Sequence, residues 1–189
     1  NPVLLNQSYF FGTPGMQYYS GSGYGAGSLA ETIHYNFGIP ADHYLVVDFQ
    51  GFMQLVDALG GIEVDLPEAV DDMPRSFFPA GKQVLNGEQA LQLARIRQKY
   101  SDTDRMNNQT IILRGIFNKL RDPAIVLQLP QLVSTLQDSV VTDVSVNEIQ
   151  SLLCVFQKMD QEQVYYAMPP QDVITTDWVY IPSLQQEME

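Results

Sequence analysis

Side chains that could hold a phosphate group are concentrated in the segment LARIRQKYSDTDRMNNQ, residues 93–109. Arg95, Arg97 and Arg105 supply guanidinium groups, whose paired N–H donors match phosphate oxygens. Residues 95–121 hold seven Lys and Arg against two Asp, a net charge of +5 within a chain of −12, which leaves −17 for the remainder. A small cationic site in an acidic protein favours one small anionic group over a long polyanion, so nucleic-acid binding is not expected.

Two helices separated by a short turn are predicted to position this segment. Asn86 can cap a helix over residues 87–97, because its side-chain oxygen can accept a backbone N–H of the first turn. A second helix is predicted to start near Ser101 or Asp102 and to run to about Leu120, before Pro123 ends it. The cationic residues therefore lie at the end of one helix and the beginning of the next.

The geometry of these two helix ends allows two interpretations. Arg105 and Gln109 are four residues apart and share a face of the second helix, whose first-turn N–H groups point toward the same gap as Arg95 and Arg97. This arrangement predicts a phosphate or pyrophosphate site. A solvated pair of helix ends explains the same residues, because Arg at a helix C-terminus and Asp102 at an N-terminus are ordinary features, and local physics favours that alternative.

The remaining elements alternate between strands and helices, which predicts an α/β layered domain. Ser28 and Glu31 have the spacing of a capping box, and Gly38 is placed to end their helix. One domain over residues 1–189 is expected. The other predicted elements are a mostly irregular segment over 1–27 with a helical piece near 4–11, strands over 43–49 and 62–67, a helix over 50–59, and either an excursion or a short hairpin within 68–86. Helices are predicted within 124–139 and over 146–158, and strands over 163–169 and 177–182.

The sequence argues against several kinds of segment and binding site. No apolar run approaches the roughly 20 residues that span a bilayer, and the first residues do not show the pattern of a signal peptide. Cys154 is the single cysteine, which excludes an internal disulfide and a multi-cysteine zinc site, and a buried thiol is expected there. The acidic residues Asp48, Asp57, Glu63 and Asp65 are expected to be solvated, because they form no compact oxygen-ligand loop.

Four segments in a fixed order carry a resemblance to a known family. They are LNQSYFFG, ETIHYNFGIPADHYLVVDFQGFMQLVDALGGIEVDLP, PAGKQVLNGEQALQLARIRQ and SDTDRMNNQ. As a set they closely resemble the LytR–CpsA–Psr family of bacterial cell-envelope proteins, from about Leu5 to Gln109. The resemblance implies a mixed β-sheet packed between helices in an α-β-α arrangement, with a long apolar pocket.

The resemblance also implies a function. Members of the family look like phosphotransferases that bind a polyprenyl phosphate or pyrophosphate lipid and move its glycopolymer onto peptidoglycan during cell-wall assembly. They act outside the cytoplasm, attached to the membrane, and usually use Mg²⁺. The expected partners are therefore the lipid carrier, the glycopolymer and peptidoglycan.

The family's site residues match positions in the opening segment. The resemblance implies that Arg95, Arg97, Arg105 and Gln109 bind the phosphate head group. Asp102 and Arg105 are expected to be catalytic: Arg105 would offset the charge that develops during transfer, and Asp102 would orient an arginine or assist the acceptor hydroxyl. The lipid pocket would be partly lined by the apolar residues Ile111, Ile112, Leu113 and Phe117, although helical spacing alone makes such a stripe ordinary core.

Two departures from the family pattern affect these expectations. The family usually has an arginine directly before the glutamine, where this chain has Asn108. The family's earlier part, with its metal-binding aspartates, has no counterpart here, so the chain is expected to be an incomplete domain with no assignable Mg²⁺ ligands and uncertain activity. Two alternatives stay open: a non-catalytic module that binds lipid phosphate or glycan, and a structural fragment that self-associates, for example as a homodimer.

Overall fold

The computed structural model describes residues 4–96, 102–136 and 138–159. Contacts group these residues into two compact units. Unit 1 contains 4–46 and 142–144, and unit 2 contains 47–96, 102–136, 138–141 and 145–159. The single domain expected over 1–189 stays a prediction, and the strands expected over 163–169 and 177–182 lie outside the described residues.

Unit 1 is built on two helices that pack together, α1 (Gln7–Phe11) and α2 (Tyr24–Phe37). The predicted start of α2 at Ser28 is wrong. The helix begins four residues earlier, after Gly23, whose positive φ of 77° suits a residue without a side chain. The predicted end at Gly38 is confirmed, with φ 67° and an N–H that donates to the carbonyl of His34.

The acidic residue expected in the α2 capping box has another partner. Glu31 accepts a hydrogen bond of 2.6 Å from the hydroxyl of Tyr19. Burial of Tyr19, with the nearby carboxylate adding to it, raises the pKa of this phenol well above its usual range. Glu31 therefore ties the loop before α2 to the middle of the helix.

Unit 2 holds most of the described elements. Strands β1 (Leu45–Val47) and β6 (Val140–Thr142) each contain a point where the chain passes between the units. The elements in between and after are α3 (Phe49–Ala58), β2 (Ile62–Leu66), β3 (Val70–Asp72), β4 (Ser76–Phe78), β5 (Gly81–Leu85), α4 (Gly87–Arg95), α5 (Asp102–Leu120), α6 (Pro123–Leu136) and α7 (Val146–Lys158).

An antiparallel ladder of β2 and β5 forms the centre of unit 2, with Ile62 opposite Leu85 and Leu66 opposite Gly81. Side chains alternate along β2 as predicted, so that Val64 points inward while its neighbours are exposed. The predicted hairpin is also present, as the antiparallel pair β3–β4. The buried cluster of this unit consists of Val56, Ile62, Val64, Leu66, Val70, Phe78, Leu85, Ala90, Leu93, Ile96 and Ile112.

Helix α5 packs directly against β2. Gly115 allows this approach, because a Cβ at that position would lie 2.8 Å from the carbonyl oxygen of Glu63. The close contact fixes the position of α5, and with it the residues of its N-terminal turns. Sheet and helix packing in unit 2 thus determine where Arg105 and Gln109 lie.

The α/β class is confirmed, with helices and small antiparallel sheets along the chain. The helices predicted over 50–59, 87–97 and 146–158 are present, and the second of them is described to Arg95. The burial predicted for Cys154 is wrong, because its side chain is exposed on α7. None of the described helices combines the length and apolar character that crossing a lipid bilayer requires.

Candidate functional site

Helix α4 is held firmly at its N-terminus. Asn86 and Gln89 form a reciprocal capping box, with N–H to oxygen distances of 2.9 and 3.0 Å. The carboxylate of Asp57, at the end of α3, accepts a further hydrogen bond of 2.7 Å from the N–H of Gly87. Asp57 was expected to be merely solvated, whereas the structure gives it a role in aligning the helix that carries Arg95.

At the other end of α4, Arg95 contacts an aromatic ring. Its guanidinium carbon lies 4.8 Å from the ring centroid of Phe49, the first residue of α3. A cation over an aromatic face interacts with the π electrons and leaves N–H donors for oxygen acceptors. Phe49 is not recognisable as a site residue from the sequence, because it lies 46 positions before Arg95 and no spacing rule connects the two.

Helix α5 reaches the same end of α4. The side-chain nitrogen of Gln109 donates a hydrogen bond of 3.3 Å to the carbonyl of Ala94, the residue next to Arg95. Arg105 is half-buried one turn earlier on α5. The structure thus brings Gln109 to the residue before Arg95, where α4 and α5 meet, and Arg105 lies one turn before Gln109 on α5.

Two predicted residues are not fully described. Arg97 lies outside the described residues, and Asp102 is described only as the first residue of α5, without its side chain. Their head-group and catalytic roles therefore stay predictions. The position of Asp102 places it one turn before Arg105 on the same helix.

The four residues expected at the lipid pocket lie in different environments on α5. Ile112 is 2% exposed and belongs to the core, whereas Leu113 is 56% exposed. Phe117 is half-buried. Ile111 lines a groove of about 330 Å³ between α5 and the β2–β5 ladder, together with polar residues such as Asp65, Lys82 and Asn118. The lipid-pocket assignment stays a prediction.

Three other acidic residues that were expected to be solvated lie away from the junction of α4 and α5 in the sequence, and each has a clear place in the fold. Asp48 caps α3 by accepting the N–H of Gly51 at 2.7 Å, and Glu63 and Asp65 lie on the exposed side of β2. Within residues 4–96, 102–136 and 138–159, no three His, Cys, Asp or Glu side chains form a group that could hold a metal ion. The described residues do not fit a Mg²⁺ site.

Asn108 has a position that the sequence did not reveal. The side chain is 6% exposed, and its Nδ2 atom is buried without a hydrogen-bond partner in the described part of the chain. Buried amide nitrogens are nearly always paired. In the sequence, Asn108 stands out only as a departure from the family pattern, and nothing in the local sequence indicates its burial.

The junction of α4 and α5 carries side chains whose charge and donors suit an anion. Arg95 and Arg105 carry positive charge, and the carboxamide of Gln109 has a second N–H besides the one that reaches Ala94. The N-terminal end of α5 adds partial positive charge from its free N–H groups. These donors suit a phosphate group, whose oxygens accept several hydrogen bonds at once.

Comparisons with known proteins identify relatives of this chain. The chain is 31% identical over 132 residues to polyisoprenyl-teichoic acid–peptidoglycan teichoic acid transferase TagV of Bacillus subtilis (strain 168), which covers 66% of the chain and 34% of TagV. It is 28% identical over 196 residues to the transferase TagU of Enterococcus faecalis (strain ATCC 700802 / V583), which covers 98% of the chain and 60% of TagU. The chain therefore spans about a third to about 60% of the length of these relatives.

A solved structure shows similarity in the fold, and a family model matches the sequence. The structure of the Lin1025 protein of Listeria innocua matches with a TM-score of 0.65 and 27% identity, over 80% of this chain and 60% of that one. The model of the LytR_cpsA_psr family matches residues 3–188. Since this match covers nearly the whole sequence, the chain belongs to the LytR–CpsA–Psr family.

Proposed function

We propose that this chain is the head-group-binding part of a cell-envelope phosphotransferase that moves a glycopolymer from a polyprenyl phosphate or pyrophosphate carrier to peptidoglycan. The observation that supports it most is the hydrogen bond from Gln109 to Ala94, because this contact places the donors of α5 beside Arg95 at the end of α4. The names of TagV and TagU, teichoic acid transferases acting on peptidoglycan, support the choice of substrates.

In the proposed reaction on the pyrophosphate carrier, a peptidoglycan hydroxyl attacks the phosphorus atom attached to the glycopolymer and loses its proton. The new P–O bond forms while the P–O bond to the lipid phosphate breaks, and the lipid leaves as polyprenyl phosphate. Arg95, Arg97 and Arg105 hold the phosphate oxygens and offset the negative charge of the transition state. Gln109 donates one N–H to the head group.

Asp102 is proposed to act on the acceptor side or on an arginine. As a base it would take the proton of the attacking hydroxyl, and as an orienting group it would accept an N–H from Arg105. Its position at the first turn of α5 suits either role. A change of Asp102 to Asn keeps the hydrogen-bonding shape but removes the base.

The cellular setting and the cofactor are also proposals. We place the protein at the outer side of the cytoplasmic membrane, in the cell envelope, with a membrane anchor in the full-length protein. Mg²⁺ is proposed for the complete domain, where it would neutralise phosphate charge. The apolar residues Ile111, Ile112, Leu113 and Phe117 are proposed to contribute to the site for the lipid tail.

The first test measures lipid phosphate binding by native mass spectrometry, with geranylgeranyl phosphate added to the chain. Replacing Arg95 and Arg97 together by Ala should weaken binding by about tenfold or more, because hydrogen bonds to charged groups are each worth about 1.5–3 kcal/mol. Arg75→Ala is the matched control, because Arg75 is an exposed arginine in the β3–β4 turn. Equal binding by the double variant and the wild type would contradict the head-group assignment.

A transfer assay, together with the mass spectrum, separates the two alternatives to the proposed function. Binding without transfer, when the full-length protein is given lipid-linked glycopolymer, peptidoglycan and Mg²⁺, would identify a non-catalytic binding module. A stable homodimer that binds neither lipid phosphate nor glycan would identify a structural, self-associating protein. The mass spectrum reports both the ligand and the oligomeric state.

A further inference from the structure

The amide group of Asn108 is buried, and the proposed function gives it no role. The side chain is 6% exposed, and Nδ2 has no hydrogen-bond partner among the described residues. An unpaired buried donor lowers stability, because the group loses its bonds to water and gains none in return. A ligand that supplies the missing acceptor would remove this cost.

The location of Asn108 connects the core with the candidate site. Asn108 follows Arg105 by three residues and precedes Ile112 by four, so the three side chains share one face of α5. Ile112 belongs to the apolar core, whereas Arg105 is half-buried in the N-terminal turns. Asn108 therefore lies where the buried face of α5 changes from apolar to cationic.

The direction of the side chain also indicates the site. Side chains in an α-helix tilt toward the N-terminus and cover the turn that precedes their own Cα atom. For Asn108 that turn contains Arg105, the predicted phosphate-binding and catalytic arginine. The next residue, Gln109, contacts Ala94 at the end of α4. A hydrogen-bond acceptor held between Arg105 and Gln109 would therefore lie on the part of α5 that the Asn108 side chain covers.

The chemistry of the group limits the ligand. The unpaired atom is a donor, so the missing partner is an acceptor, and the surrounding arginines favour an anionic one. We propose that the Nδ2–H of Asn108 donates a hydrogen bond to a phosphate oxygen of the substrate head group. This proposal rests on the proposed function and adds a specificity residue to it. The amide is neutral, so its contribution does not depend on salt screening as that of an arginine does.

The test uses the full chain and four variants. Asn108→Leu removes the donor with a side chain of the same branched shape, and Asn108→Asp replaces it by an acceptor that repels phosphate. Asn107→Leu is the matched control, because Asn107 is the exposed neighbour on the same helix. Arg105→Ala tests the proposed head-group site itself. Calorimetric titration with geranylgeranyl phosphate and with inorganic pyrophosphate gives Kd, and thermal unfolding without ligand gives Tm.

The expected result is a separation of stability from binding. Asn108→Leu should keep or raise the Tm of the ligand-free protein, because the unpaired donor is gone, and should weaken binding of both probes by about 10- to 100-fold. Asn108→Asp should weaken it at least as much and provides the binding test should Asn108→Leu fail to fold. The slope of Kd against salt concentration should fall for Arg105→Ala and stay unchanged for Asn108→Leu.

Four outcomes would overturn the inference. Unchanged binding by both Asn108 variants, with weakened binding by Arg105→Ala, would leave the proposed function intact and remove Asn108 from the site. A lower Tm with unchanged Kd would show a structural amide. Weakening for the lipid probe alone would assign Asn108 to the lipid rather than to a phosphate oxygen. No binding of either probe by the wild type would overturn the proposed function and the inference with it.

Discussion

Asp143 shows how neighbouring groups change the pKa of a single carboxyl group. Its carboxylate accepts a hydrogen bond of 2.9 Å from the backbone N–H of Tyr44 and lies 3.5 Å from Nδ1 of His43. The N–H of Tyr44 is the main cause that lowers the pKa of Asp143 below its usual value of 3.8, and the imidazole of His43 adds to it. These contacts link residues about one hundred positions apart within unit 1.

A pH dependence of stability follows from the lowered pKa of Asp143. Because the folded state favours the ionised carboxylate, its contribution is present above the pKa of the unfolded state and is lost as the pH falls through the folded value, below 3.8. The free energy of unfolding of Asp143→Asn should therefore fall short of the wild type near neutral pH and approach it in acid. Urea unfolding at a series of pH values measures this difference.

The control for the pH experiment is Asp42→Asn, which removes an exposed carboxylate close in sequence to the same loop. The comparison separates the loss of the Asp143 contacts from the loss of one surface charge. A pH-independent difference for Asp143→Asn would show that the Tyr44 and His43 contacts do not stabilise the ionised form.

At the scale of elements, the junction of α3 and α4 determines the direction of the helix that carries Arg95. Asp57 accepts the N–H of Gly87, and the backbone of Gly87 lies directly against that of Met53. The position requires glycine for its close approach, because a Cβ there would lie 2.7 Å from the carbonyl carbon of Met53 and closer still to its oxygen. Any side chain at Gly87 must push the two helices apart.

Gly87→Ala should destabilise the protein by about 1–3 kcal/mol, the usual cost of forcing an extra methyl group into a packed contact. It should also weaken lipid phosphate binding, because α4 carries Arg95 at its other end. Gly15→Ala is the control, since a Cβ at Gly15 would meet nothing within 4 Å. Unfolding in urea gives the stability, and equal values for the two variants would contradict the close approach.

For the whole molecule, the distribution of charge governs which ligands bind. The chain carries −12 overall, while residues 95–121 carry a net +5. The acidic remainder disfavours long polyanions, and the cationic segment attracts a small anion over the distance that salt leaves unscreened. An acidic protein can thus bind a phosphate head group and still reject nucleic acid.

Raising the salt concentration should therefore weaken the binding of inorganic pyrophosphate to the full chain. The screening length falls from about 10 Å at 0.1 M to about 3 Å at 1 M salt, so attraction from partly exposed arginines is reduced. Titration calorimetry at several NaCl concentrations measures the slope, which should be smaller for the Arg95→Ala, Arg97→Ala double variant. A Kd that does not change with salt would argue against electrostatic binding by this segment.

Much of the secondary structure was predictable, because its signals are local. The cap at Asn86, the capping box of Ser145 with Glu148, and the alternation along β2 depend on residues within a few positions. The same rule failed at Ser28. There the helix extends toward Tyr24, and Glu31 bonds to Tyr19 instead of to the cap. A capping pattern predicts the start of a helix only where no side chain from outside the pattern bonds to one of its residues.

For the candidate site, the sequence by itself determined the residue types and their helices: Arg95 at the end of α4, and Arg105 and Gln109 one turn apart on α5. Only the tertiary structure decided that Gln109 reaches Ala94, that Arg95 lies over Phe49 and that Asn108 is buried. The physical reason is the range of each effect. Helix formation and capping act within about four residues, whereas burial and cross-helix contacts depend on elements that are distant in the chain and meet only in the fold.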